Sequence, residues 1–412
     1  MQIPSPAEML RRIGELPAGA PLLERLRGLA GVYLVGGAVR DLLMGGAPSD
    51  LDLVVEGDAV QVAKRIGQNL VVHDRFGTST VQVDGFTYDL ARARRERYEH
   101  PGALPDVEPA PLSEDLGRRD FTVNAIAIAL GGSDAGTVSA APRAIEDLDA
   151  RRLRVMHDRS FIDDPTRLLR LARYRSRLGF AVEPRTAELA RQAVEDRGLG
   201  TVSGARIGTE LRLLAREPDP VAAFGALREL GLDTAIHPDF GLKEADADLA
   251  RRALGLLPAD GRRDLVVLAL AARGAPRSEL GPLLDRLAFS AGDRDVILRA
   301  AIDADSIARA LADARRPSEI AAAVGAAGPE LVAIAGALGA EQAAAEWLER
   351  LRHVQLEIDG RDLLAAGIPE GPGIGLGLQA ALAAKLDGHA AGKEQELQAA
   401  LQGPAESRGD GG

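Results

Sequence analysis

Asp50 and Asp52, in the segment Ser49-Asp50-Leu51-Asp52-Leu53-Val54-Val55, are the residues whose type and spacing point most directly to chemistry. In an extended strand residues i and i+2 share a face, so both carboxylates would project together while Leu51 and Leu53 turn to a core. Two carboxylates on one face repel unless a cation lies between them. Hard oxygen ligands with open positions suit Mg2+ bound together with nucleotide phosphates. The plainer reading is a solvated strand face. About ten residues upstream, Val35-Gly36-Gly37-Ala38-Val39-Arg40-Asp41 reads as a strand running through paired glycines into a helix. Gly36 and Gly37 would let the backbone approach a ligand, a helix N-terminus presents free N–H groups to phosphate, and Arg40 adds positive charge in the first turn. A purely geometric strand–helix joint would use the same residues. Asp89, on the run Tyr88–Ala91, either supplies a third carboxylate from a neighbouring strand or closes that strand structurally.

Two further segments carry charge into apolar surroundings. In Asp115–Ala127, Arg118-Arg119-Asp120 meets an apolar stretch, a combination that can set a guanidinium against a triphosphate while a carboxylate orients it. Asn124 lies within that stretch, and a buried amide needs partners. In Asp163–Tyr174, Asp-Asp-Pro is a good helix start, with a carboxylate cap and proline in the first turn. At roughly 100° per residue, Arg167, Arg170, Arg173 and Arg177 fall within an arc of about 120°. Such a stripe is usually a solvated face. Here the helix follows directly on the proposed nucleotide-binding segments.

The elements that must position these residues divide the chain. Up to about residue 150, five runs rich in β-branched residues (Val32–Val35, Leu51–Val55, Leu70–His73, Ser79–Val83, Tyr88–Ala91) alternate with helical stretches. Such alternation predicts an α/β or α+β layer. Beyond Asp158 the strand signal disappears, and Pro165–Leu178, Arg185–Asp196, Ile207–Ala215 and Pro220–Leu230 show helical periodicity. Residues 250–350 are Ala/Leu-rich and helical, and Gly403–Gly412 reads as a frayed tail. The expected layout is an α+β head (1–150), a helical neck (151–215), a helical body (216–300) and a helical tail (301–412).

Composition narrows the class. At 412 residues the chain should form more than one packed unit. It has no cysteine, which excludes disulfides, thiolate metal sites and cysteine nucleophiles, and its six histidines include no His-x-x-x-His pair that would suggest zinc. Fifty basic against 61 acidic residues give a net charge of −11, so any nucleic-acid binding must use a local patch or a shaped cleft. Only Lys64, Lys243, Lys385 and Lys393 are lysines, a bias that reads most simply as coding preference. No apolar run reaches the ~18–20 residues of a membrane span, and the first residues carry no export signal, so a cytoplasmic protein is expected. Nothing in the sequence sets an oligomeric state.

Taken in order, LVGGAVRDLLMG, SDLDLVV, DLARARRERY, EDLGRRDFTVNAIAI and DDPTRLLRLARYRSRLGF resemble the motifs of the bacterial class II tRNA nucleotidyltransferases, the CCA-adding enzymes, within the polymerase-β-like nucleotidyltransferase superfamily. SGARIGTELRLL and IDGRDLLAAGIPEGPGIGLGL resemble that family's neck and tail, so the likeness runs from about residue 30 to 395. The resemblance implies a polymerase-β-like head followed by helical neck, body and tail. It implies that Asp50 and Asp52 hold catalytic Mg2+, that Gly37, Arg40 and Arg119 contact the triphosphate and sugar, and that Asp164 and Arg167 read the base. Arg170 and Arg173 would lie along the same pocket. Where the family has Glu-Asp at the start of the last motif, this chain has Asp163-Asp164.

The expected substrates are CTP, ATP and the acceptor–TΨC minihelix of tRNA, gripped by shape and phosphate contacts, with no membrane partner. Extension would be an in-line attack of a 3′-hydroxyl on an α-phosphate, with two Mg2+ activating the hydroxyl and neutralising pyrophosphate. Cytosine and adenine each offer an amino donor beside a ring-nitrogen acceptor. A carboxylate and a guanidinium would therefore accept C and A and leave U and G unpaired. The family carries a flexible loop between Asp89 and Arg118, and CC-adding relatives have lost it. Its length here argues against CC-only activity. An A-adding specialist remains the alternative. Poly(A) polymerase is disfavoured by His73-Asp74-Arg75-Phe76-Gly77-Thr78, where such enzymes carry a Gly-Arg-Arg-Phe-type stretch. A non-catalytic tRNA-binding protein need not keep the whole residue set.

Overall fold

The structure is a computed structural model that describes residues 1–73 and 77–406. Asp74, Arg75 and Phe76 of the poly(A)-polymerase comparison, and residues 407–412 of the expected tail, lie outside the described residues. Two compact units form: residues 1–210 with 229–235, and residues 211–228 with 236–412. Head and neck residues through Glu210 thus share the first unit.

That unit is built on a seven-stranded mixed sheet. Its strands are β1 (Val32–Val35), β2 (Leu53–Val55), β3 (Gln68–His73), β4 (Thr78–Val83), β5 (Phe86–Arg92), β8 (Ile126–Ala129) and β9 (Val138–Ala140), in spatial order β3-β4-β5-β2-β1-β8-β9. The β2–β5 pair is parallel and its neighbours are antiparallel. The central strands read as unbroken apolar runs because both sheet faces are covered. Val35, Val54, Ala125 and Ala127 pack into one core with Leu112 and Leu116. On the other side, the helix Ala59–Ile66 starts where Asp58 accepts hydrogen bonds from the Val60 and Gln61 amides, and it buries Ala63 and Ile66.

All five expected strands form, but the sequence reading missed others. β8 and β9 complete the sheet, and a separate antiparallel ribbon joins β6 (Arg94–Arg97) to β7 (Asp106–Pro109). Beyond residue 150, Arg152–Leu153 pairs with Ala181–Val182, so strand structure does not stop at Asp158. Helices at Thr166–Leu178, Pro184–Glu195 and Gly204–Ala215 follow.

The second unit is helical among its described residues. Arg263–Ala272 is its most enclosed segment, with Leu265 through Ala272 all buried. Near the C-terminus, Leu363, Ala381 and Ala400 make a small separate core of three helices, Gly360–Ala365, Pro372–Leu386 and Gly392–Glu406. Lys385 closes it by donating to the buried carboxylate of Glu396 at 2.5 Å. Among the described residues, no single helix is long and apolar enough to cross a membrane.

Candidate active site

The sheet sets the carboxylates. β2 and β5 run parallel with Leu53 opposite Leu90, so one step back along both strands brings Asp52 beside Asp89. Regular strand geometry begins only at Leu53, after both Asp50 and Asp52, which differs from the sequence reading. The alternation survives nonetheless. Leu51 and Leu53 are buried, Asp50 and Asp52 turn away from that core and keep solvent contact, and the Asp52 carbonyl still accepts from the Val35 amide at 3.1 Å. Asp52 and Asp89 border one cleft of about 340 Å3 that also reaches Arg119. Asp89 Oδ1 accepts from the Thr80 hydroxyl at 2.6 Å.

Partial burial, then the charges of Asp89 and Asp50, push the Asp52 carboxyl above its ordinary value, and Arg119 offsets this only in part. Among the described residues no three acidic or histidine side chains are already gathered as a metal cluster. Asp50 lines neither this cleft nor its neighbour, but Asp52 and Asp89 are neighbouring hard-oxygen donors with excess negative charge, the chemistry a Mg2+ ion relieves.

Asp52 also borders a second cleft of about 320 Å3, lined by Gly36, Gly37, Arg94, Glu96, Tyr98, Arg118, Arg119, Asp120, Asn124, Asp164, Arg167, Arg170 and Tyr174. Of the residues expected to hold the nucleotide, Gly36, Gly37, Arg119, Asp120, Asn124, Asp164, Arg167 and Arg170 meet there. Gly36 adopts φ +72°, and a Cβ on it would lie 3.2 Å from an Arg119 Nη. The glycine therefore serves backbone conformation and guanidinium access together. Arg119 donates to Asp115 at 3.0 Å, while its buried Nε has no hydrogen-bond partner among the described residues. The guanidinium itself lines the cleft, where its charge suits an anionic ligand.

Arg40 and Arg173 depart from expectation. Arg40 is 2% exposed and lies behind the cleft, where its Nη1 donates to Asn124 Oδ1 at 2.6 Å. Asn124 in turn donates to Asp120, whose other oxygen accepts from Arg170 at 2.6–2.8 Å. Glu210 stands 3.7 Å from Arg170 and 3.5 Å from Arg173. Arg173, 8% exposed, also sits 5.0 Å over the Tyr174 ring. The guanidinium stripe is thus solvated only at its end: Arg167 and Arg173 are buried, Arg170 is half-buried against Asp120, and Arg177 is exposed.

Asp164 and Arg167 are held by different halves of themselves. Asp164 Oδ1 accepts from the Thr166 amide, the Thr166 hydroxyl and Arg206, while Oδ2 has no partner among the described residues. Arg167 donates to Ser160 Oγ at 3.2 Å and to the Arg118 carbonyl at 2.8 Å, which leaves its other N–H donors for the cleft.

Sequence reasoning missed the carboxylates that hold the arginines. Asp115, fully buried, accepts from Arg118 and Arg119. Burial pushes its carboxyl up, but those two guanidiniums outweigh burial and hold it below the ordinary range. Glu96, on the β6–β7 ribbon, accepts from Arg94, Arg118 and the Tyr98 hydroxyl. The segment between Asp89 and Arg118 thus brings the β6–β7 ribbon to the cleft wall. The signal lay in the period-2 spacing of Arg94, Glu96 and Tyr98, which puts all three on one strand face.

Asp120 gives a stability prediction. Burial alone would raise its carboxyl; the charge of Arg170, the Asn124 amide and the Phe121 N–H reverse this and take it down to about 2. A depressed carboxyl stabilises the fold above its unfolded value of 3.8 and loses that contribution as pH falls toward 2. Asp120→Asn should therefore destabilise the protein at pH 7 by about 2–3 kcal/mol, discounted because solvent reaches part of Arg170. It should also flatten the acid limb of the stability curve below pH 4. Urea unfolding at several pH values checks both, and equal stability of the two proteins at pH 7 would contradict the pairing.

Sequence and fold both match known proteins. The family profile for the poly(A) polymerase head domain matches residues 32–154, and that for the probable RNA- and SrmB-binding site of polymerase A matches 179–242. The A-adding tRNA nucleotidyltransferase of Geobacter sulfurreducens is 33% identical over 90% of this chain and 45% of its own length. The CC-adding tRNA nucleotidyltransferase of Deinococcus radiodurans is 35% identical over 84% of this chain and 82% of its own. This chain spans about half, or less, of the length of the A-adding relatives it matches. The Thermotoga maritima CCA-adding enzyme, solved in complex with tRNA, superposes with a TM-score of 0.74 at 27% identity, covering 98% of this chain and 99% of that one. With the head's sheet, its carboxylates and its arginine-lined cleft, these matches establish that the chain belongs to the bacterial tRNA nucleotidyltransferase and poly(A) polymerase family.

Proposed function

We propose that the protein extends the 3′ end of tRNA without a nucleic-acid template, adding C, C and A from CTP and ATP. One observation carries this reading: Asp164, hydrogen-bonded among the described residues through Oδ1 alone, and Arg167, which has N–H donors left over, line together the cleft that Asp52 borders. An acceptor beside a donor complements the amino group and ring nitrogen of cytosine and of adenine. Against uracil or guanine both contacts fail, and buried groups left unpaired discriminate strongly.

Around the reacting phosphate each side chain has a task. Gly36 and Gly37 leave room for the triphosphate, and the Arg119 guanidinium on the cleft wall meets one of its oxygens. Asp115 and Glu96 hold Arg119 and Arg118 in place. Asp50 and Asp52, with Asp89 beside them, would hold Mg2+, which when bound supplies activation of the attacking hydroxyl and charge neutralisation at the phosphates. The second unit would grip the tRNA minihelix through its backbone and shape.

A narrower reading, addition of the terminal A alone, is favoured by the relative from Geobacter sulfurreducens. Three tRNA transcripts, ending before CCA, after C and after CC, incubated with Mg2+ and CTP, ATP or both, separate the readings by intact mass. All three reach CCA if the complete activity is present. Extension of only the CC-ending transcript, by one A, identifies an A-adding enzyme. Products that stop at CC identify a CC-adding enzyme and overturn both readings.

A further inference from the structure

Arg206 stands at the start of the helix Gly204–Ala215 and reaches two places at once. Its Nη2 donates to Asp164 Oδ1 at 2.8 Å, and its Nη1 donates to the Gly102 carbonyl at 2.9 Å. Gly102 lies in the turn between β6 and β7. It has φ +73°, its amide donates to the Asp163 carbonyl at 3.3 Å, and a Cβ on it would sit 2.3 Å from Thr201 Oγ1. The ribbon's turn is therefore clamped onto the backbone beside Asp164, and one guanidinium ties the turn to the carboxylate.

We propose that Arg206 is a positioning residue for base selection: by saturating Asp164 Oδ1 while anchored to the Gly102 carbonyl, it fixes the carboxylate plane so that only Oδ2 faces the nucleobase. The inference rests on the reading of Asp164 as the base-reading acceptor. Its physical basis is the softness of an aspartate's terminal torsion, which is broad and roughly two-fold. Thr166 alone supplies Oδ1 with two neutral donors, at 3.0 and 2.6 Å from one residue. These do not oppose the charges of Asp120 and Glu210 nearby. Arg206 supplies a charge-assisted bond from a second helix, and its planar fork sets direction as well as distance. A lysine reaches one of the two acceptors but not both. Rotation of the carboxylate would present guanine or uracil with a differently placed acceptor and weaken the penalty against them.

The test compares Arg206→Gln, Arg206→Lys and Asp164→Asn with the unaltered full chain. Two ratios are read: kcat/KM for ATP against GTP on a CC-ending tRNA, and for CTP against UTP on a tRNA lacking CCA. Thermal unfolding and tRNA affinity are measured alongside. Arg206→Gln should lower discrimination roughly 10- to 100-fold, the worth of one hydrogen bond to a charged group. Arg206→Lys should lower it less, and tRNA affinity should hold. A purely structural clamp predicts the opposite pattern, with reduced melting temperature and equal loss for all four nucleotides. That result in either folded Arg206 variant overturns the proposal. Unchanged discrimination in Asp164→Asn would instead remove the base-reading assignment on which it stands. Relaxed discrimination in Asp164→Asn with full discrimination in both Arg206 variants would remove Arg206 alone.

Discussion

Asp52→Ala is expected to abolish nucleotide incorporation, a loss of at least roughly 10³-fold, or about 4 kcal/mol of transition-state stabilisation. Affinity for tRNA should stay within about twofold at fixed salt, because RNA binding of this kind rests on phosphate contacts from basic groups. Asp52 borders both clefts, stands beside Asp89 through the β2–β5 register, and has its carboxyl raised by burial and by the facing Asp89 and Asp50 charges. A group raised in this way binds its proton more tightly in the folded protein, so its charged form weakens the fold as pH rises through the raised value. Removing it should leave the metal-free protein at least as stable at neutral pH. Inactivity without loss of stability is the signature of a residue kept for chemistry. Incorporation within tenfold of the unaltered protein would sink the assignment. So would a large drop in melting temperature accompanying the lost activity.

The second large effect is on fidelity. Arg167→Ala should lower discrimination of ATP over GTP and of CTP over UTP by about 100-fold, since the ring nitrogen of the correct base loses its donor. It should also cost about 1–2 kcal/mol of stability, because the Arg118 carbonyl and the Ser160 hydroxyl lose their partner. The two losses separate in the measurement. Fidelity is a ratio of rates within one protein preparation, while the stability cost appears in unfolding. Arg167→Lys should restore much of the stability and little of the selection, because an ammonium cannot span both holding contacts and the base. Unchanged fidelity in the alanine variant would refute the donor role.

How far the site was legible from sequence follows from how local each contact is. Asp52 was readable because alternation on an extended segment sets it, whereas Asp164 and Arg167 showed only a helix start on their own and took a site role from the resemblance of their motif. The Gly36 kink, like Asp52, was readable from local geometry. Arg40 misled because its nearness to the glycines suggested a ligand contact, whereas its partner Asn124 lies 84 residues away and pulls it behind the cleft. Asp115 was hidden among three acidic and basic neighbours, Glu210 sat in a stretch that read simply as helix, and Arg206 meets Asp164 across 42 residues. The fold divides similarly. β4 and β5 show their turns and alternation, but β8 is an Ile-Ala-Ile-Ala run buried on both faces and so carries no alternating signal. The β6–β7 ribbon is built from charged residues whose ion pairs lie partly inside it, Arg95 with Glu108, and partly outside it, Glu96 with Arg118. Nothing in its own composition announces a strand.

The string of side chains behind the cleft has a consequence for how this sequence can drift. Arg40, Asn124, Asp120, Arg170, Glu210 and Arg173 come from several separate elements, and along the string positive and negative groups take turns, with one neutral amide between the first two charges. Any single replacement that adds or removes a charge leaves one enclosed neighbour without its opposite, and an enclosed charge without its opposite is far costlier than none. Tolerated changes should therefore arrive in twos, as compensated swaps or joint neutralisations of adjacent members. Among related chains the string should vary by correlated pairs, whereas the exposed arginines and glutamates a few ångströms away exchange one at a time.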